Sequence, residues 1–124
     1  MSGLTRMTLR LARNPDAGYP TGDNRHGYVV VAPLRQDGHL DAEAWKAHRA
    51  QCTVARFSPN PEENADGWLS HQGGRWRVHY DEKGEGPDDA FDHLADHRLF
   101  VGDYISVVRR GQSLVYQVTQ EDDD

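Results

Sequence analysis

Polar and apolar residues alternate with a period of two along much of the chain, the pattern of half-buried strands. Thr8 to Arg13 alternates around Leu9 and Leu11. Tyr28 to Ala32 is a β-branched run that reads as a central strand, limited at its end by Pro33. Thr53 to Ser58 is a further strand. Two hairpins follow. In the first, Trp68–Gln72 and Arg75–Tyr80 flank Gly73-Gly74, a permissive two-residue reversal. That register sets His71 opposite Trp76 and Trp68 opposite His79. Leu69, His71, Trp76, Val78 and Tyr80 then share one face; Trp68, Ser70, Gln72, Arg75, Arg77 and His79 share the other. The first face is the core candidate, because the second carries two arginines. In the second hairpin, Tyr104–Arg109 and Leu114–Thr119 flank Arg110–Ser113. Ile105, Val107, Leu114, Tyr116 and Val118 fall on one face for a loop of either two or four residues.

Helical signals are few. Asp37-Gly38 marks a turn, and Asp41 is placed to cap a helix over about 42–51 with Glu43 in its first turn. This segment carries Trp45, Arg49 and Cys52 on one side, a narrow stripe that suits a helix anchored by Trp45 over a mouth or edge of a sheet. Asp88 to Ala95 suggests one short helical turn, with Phe91, Leu94 and Ala95 inward. Short strands, one helix and frequent turns predict a mainly β fold: a small, partly open antiparallel β-barrel or strongly curled sheet. A single domain is expected over residues 7–120, with flexible tails at 1–6 and 121–124.

Composition narrows the setting. A chain of 124 residues can bury one substantial core. Its one cysteine, Cys52, rules out an intrachain disulfide and is a poor start for a structural zinc site; it reads as a small buried residue. No apolar run approaches a membrane span, and the N-terminus lacks the apolar stretch of a signal peptide, so a cytoplasmic location without membrane contact is expected. Net charge is −6, and the second half of the chain carries the excess of acid. That balance opposes non-specific nucleic-acid binding. Twelve of the 14 basic residues are arginine, a bias of GC-rich bacterial genomes rather than a sign of phosphate recognition.

Candidate chemistry is sparse. Seven histidines are many for this length. On a helix, His93 and His97 would face one way and could share a metal, but Leu94 stands where the H-E-x-x-H motif has its general base. Residues 81–86 superficially resemble a calcium loop, with Lys83 at a ligand position. Trp68, Arg77 and His79 on the outer hairpin face are the candidate ligand-binding residues, with His93 and His97 approaching from the neighbouring segment. Arg75 and Tyr104 could join Trp68 and Arg77 in a stacking surface for single-stranded nucleic acid, a reading the acidic second half weakens. No catalytic residue is assigned, and no cofactor is specified.

Residues 73–81 (Gly-Gly-Arg-Trp-Arg-Val-His-Tyr-Asp), followed by 96–107 from Asp96-His97-Arg98-Leu99 to Ile105-Ser106-Val107, resemble a family of short uncharacterised proteobacterial proteins. Met7–Pro15 and the turn and helix of Asp37–Trp45 are similar as well. The family has no assigned activity; the resemblance implies one compact domain and no site residue. The expectation is therefore a non-catalytic binding or accessory module, using a barrel face or mouth for a protein or small-molecule ligand. The alternatives are a small metal-binding protein or enzyme using the His/Asp cluster, and a single-stranded nucleic-acid binder.

Overall fold

In a computed structural model the described residues are 3–72, 75–80, 89–92, 98–109 and 111–123, with the side chains of Gln72 and Asp92 left aside. Eight strands run in chain order: β1 (Thr5–Leu11), β2 (Asp23–Ala32), β3 (Thr53–Phe57), β4 (Ala65–Gln72), β5 (Arg75–Tyr80), β6 (Asp89–Asp92), β7 (Tyr104–Arg109) and β8 (Gln112–Asp123). Each pairs antiparallel with its neighbour, and β1 also pairs with β8, so the sheet closes into a barrel. The expected barrel is present and is closed rather than partly open. Closure removes both edges, which would otherwise present unpaired N–H and C=O groups.

Both hairpin registers are as the alternation dictates. Trp68 lies opposite His79 and His71 opposite Trp76; Ile105 lies opposite Tyr116 and Val107 opposite Leu114. Arg109 pairs with Gln112, so the second reversal has two residues. Gly73-Gly74 and the acidic segment 81–88 lie outside the described residues.

Several expectations are corrected. The segment placed as a helical turn near 88–95 contributes β6 at Asp89–Asp92; Leu94 and Ala95 lie outside the described residues. Phe91 pairs with Trp76 on one side and Val107 on the other, and this two-sided ladder outweighs any local helical tendency. The helix α1 is Ala42–Ala47, shorter than 42–51, because His48 leaves helical geometry and Arg49–Gln51 form a separate 3-10 turn. Strand pairing extends into the segments at the two ends of the chain: Thr5 and Arg6 open β1, and Glu121–Asp123 pair with Met7–Thr5.

The strand ends divide the molecule. The C-terminal ends of β1, β3, β5 and β7 form one end, the mouth. The opposite end is covered by α1 and the segments around Leu40 and Leu99. Asp41 Oδ1 accepts from the Ala44 N–H and caps α1, whose Trp45 is buried and donates from Nε1 to the Leu69 carbonyl at 2.9 Å. Trp45 meets Trp76 edge to face at 5.6 Å, and His71 stacks on Trp76 at 4.3 Å. Gly38, at φ +87, lets its backbone meet the Phe100 ring and accept from the Leu99 N–H at 2.9 Å. Below this cover, Met7, Leu9, Val30, Leu40, Phe91 and Leu99 leave a void of only about 10 Å³, the space of roughly one water. The capped half of the interior is thus apolar and filled.

Candidate functional site

The mouth half of the interior differs in kind. Among the described residues, Asp89 is the one buried charged side chain, 1% exposed. It opens β6, and the period of two that buries Phe91 turns Asp89 inward as well. The same alternation brings Arg56 (with Val54, β3), Tyr80 (with Val78, β5), Arg109 (with Val107, β7), Tyr28 (with Val30, β2) and Tyr116 (with Val118, β8) toward the interior. Six strands therefore contribute to one cluster.

Asp89 Oδ2 accepts from the Tyr28 hydroxyl at 2.8 Å, from the Tyr80 hydroxyl, and from Arg56 Nη1 at 3.3 Å. Its Oδ1 lies 3.9 Å from Arg109 Nε. Arg56 also donates from Nε to the Glu63 carbonyl at 2.7 Å and lies 4.9 Å over the Tyr80 ring. Tyr28 meets Tyr116 and Phe91 edge to face at 5.2 and 6.0 Å. At the rim, Glu63 accepts from the Ser58 hydroxyl at 2.9 Å, and His26 lies against Tyr19 and 3.5 Å from Asp23.

The electrostatics follow from burial. Tyr28 and Tyr80 are held well above the usual phenol range, first by burial and then by neighbours that include the Asp89 charge. Tyr116 is pushed up to about 12 by burial and by Asp89. At neutral pH all three are therefore neutral hydroxyls. Burial works against the charge of Arg56, but Tyr80, Asp89 and Tyr28 outweigh it and raise its pKa. Glu63 is held below its ordinary value by the Ser58 hydrogen bond first, with help from the positive charges of Arg109, His26 and Arg56. The cluster is a set of fixed donors around a single acceptor. Two guanidiniums and three phenols offer more donors than one carboxylate accepts. Asp89 Oδ2 already takes three of them, so this oxygen is poorly placed to act as a base.

The described residues among those selected from sequence lie elsewhere. Trp68, Arg77 and His79 share the outer wall of β4 and β5, on the opposite side of the sheet from Asp89. Trp68 is 38% exposed and lines an open surface groove of about 330 Å³ with Thr53, Ala55 and Asp66. Arg75 and Tyr104 are exposed on outer strand faces. His93 and His97 lie outside the described residues, and among the described residues no group of three or more His, Cys, Asp or Glu could hold a metal ion. Cys52 is fully buried, and burial pushes its thiol up. No described helix is long and apolar enough to cross a membrane.

Alternation already placed Tyr80 and Tyr116 inward. Extending it one position to Arg109, or pairing Arg56 with Val54 and Asp89 with Phe91, would have exposed the rest. The signal was a charge standing at an inward position.

The fold and the site define a closed eight-stranded antiparallel barrel, apolar at its covered end and charged at its mouth. No family model matches the chain, and no curated protein or solved structure is significantly similar to it.

Proposed function

We propose that this protein is a non-catalytic binding module that takes a small molecule at the barrel mouth. One observation carries the reading: the inward charged side chains of β3, β6 and β7 converge at one end of an otherwise apolar interior, amid three buried or half-buried tyrosines. A few convergent polar groups among aromatic surfaces are the usual make-up of a small-molecule site, and barrel mouths are a common place for one. Tyrosines held neutral supply hydroxyls and flat apolar surface with little side-chain entropy to lose. The single cysteine and the arginine bias support a bacterial cytoplasmic setting.

The test is two-dimensional NMR of the full chain titrated with a mixture of benzoate and benzamide, which share shape and differ in charge. Saturable shifts clustered at residues 26–28, 56, 80, 89, 109 and 116 are expected. Shifts centred instead on Trp68, Arg77 and His79 would move the site to the outer wall, whose groove is its rival. The absence of saturable shifts would remove the mouth reading.

A further inference from the structure

We infer that Arg109 is the anchor of the mouth, and that it takes the oxyanion of a small ligand, a carboxylate or a phosphate; this rests on the mouth being a binding site. The charged groups around it are unequally occupied. Asp89 Oδ2 accepts from Tyr28, Tyr80 and Arg56. Arg56 spends Nε on the Glu63 carbonyl and Nη1 on Asp89. Glu63 accepts from Ser58, and Asp23 faces Arg25 and His26.

Arg109 differs from all of these. Among the described residues it makes one ion pair, through Nε to Asp89 Oδ1 at 3.9 Å, and no hydrogen bond. Its side chain is 22% exposed, so it is largely withdrawn from water and still reachable. A guanidinium presents its donors in a rigid planar fork. Asp89 lies behind Nε, and among the described residues Nη1 and Nη2 make no hydrogen bond, with Glu63 as the second carboxylate that feels this charge. A two-oxygen group bound side-on matches this geometry, and the partial burial of the guanidinium strengthens the pairing. The negative charge of Glu63 opposes an anion at the rim, which selects against weak point contacts and in favour of a bidentate partner.

The experiment separates this inference from the reading beneath it. The unaltered chain is titrated separately with benzoate, phenyl phosphate and benzamide at constant ionic strength, following the Arg Nε–Hε and backbone signals. Benzoate or phenyl phosphate is expected to bind at least tenfold more tightly than benzamide and to shift the Arg109 Nε–Hε signal; which of the two does so names the oxyanion. Arg109→Lys, checked for an unchanged fold by its backbone spectrum, keeps the charge but loses the fork and is expected to weaken anion binding at least tenfold, while the outer-wall variant Arg77→Gln leaves it unchanged. Benzamide binding at the mouth as tightly as benzoate would overturn the anion anchor and leave the mouth reading standing. Binding of none of the three would overturn both.

Discussion

Asp89 shows how one side chain can fix a local arrangement. Its carboxyl group is buried, and every donor aimed at it is wholly or largely withdrawn from water. Removing such an acceptor leaves Arg56 and Arg109 without their buried counter-charge, with only Glu63 near by, whereas removing one donor leaves the others in place. Breaking a buried pair from one side costs about 3–5 kcal/mol, and losing one hydrogen bond to a charged group costs about 1.5–3 kcal/mol. Asp89→Ala should therefore be destabilised by about 3–5 kcal/mol in urea unfolding, and Tyr80→Phe by about half of that. Equal effects would contradict the network as drawn.

The tyrosines give a second residue-scale expectation. A phenol with a raised folded pKa stabilises the fold fully below the unfolded value of about 10, and that contribution disappears as pH rises through the folded value. For Tyr116 the folded value is about 12, with Tyr28 and Tyr80 displaced in the same direction. Stability measured by denaturant should hold up to about pH 10 and then fall steeply toward pH 12. In Tyr116→Phe the fall should be shallower. A flat profile across that window would count against burial as the cause.

At the scale of elements, alternation is most informative where neighbouring strands join through a tight turn. The two hairpins were readable because a two-residue period fixes both faces at once, and Leu69, Val78, Ile105 and Val107 obeyed it. β6 was not readable. Four residues, Asp89-Ala90-Phe91-Asp92, hold too little pattern to mark a strand, and their placement depends on ladders to β5 and β7 formed by residues outside the segment. The charged cluster went unread for a related reason. Arg56, Asp89 and Arg109 look like surface residues until each is assigned the parity of its apolar neighbour, and their meeting depends on three strands whose arrangement only the closed barrel supplies. α1 was half legible: its cap and anchor were visible in Asp41 and Trp45, its early end at His48 was not. The cap has a measurable role. Asp41→Ala should lower stability by about 1 kcal/mol, read from the denaturation midpoint, while leaving the mouth signals in the NMR spectrum unmoved, because α1 sits at the opposite end.

For the whole molecule, closure is the property that local patterns least reveal. Seven of the eight strand pairings join neighbours in sequence; the remaining one, β1 with β8, brings Leu9 to Val118 and Thr5 to Asp123. Such distant pairing carries the larger loop-closure cost and is expected late in folding. Conservative truncations at Leu69 or Val78 should slow folding more than truncations at Leu9 or Val118, which should act mainly by speeding unfolding, as read from the two arms of a chevron plot.

The meeting of the first and last strands has a consequence for life before the native state. If that seam pairs last, the chain before it is an open ribbon with two bare flanks, one of them the twelve-residue β8. Identical ribbons can pair through such flanks in competition with closure, the more so as concentration rises. In a parallel, in-register pairing of two β8 strands the acidic run Glu121-Asp122-Asp123 would set like charges directly against each other, so the stretch that resembles a dispensable tail disfavours that one mispairing.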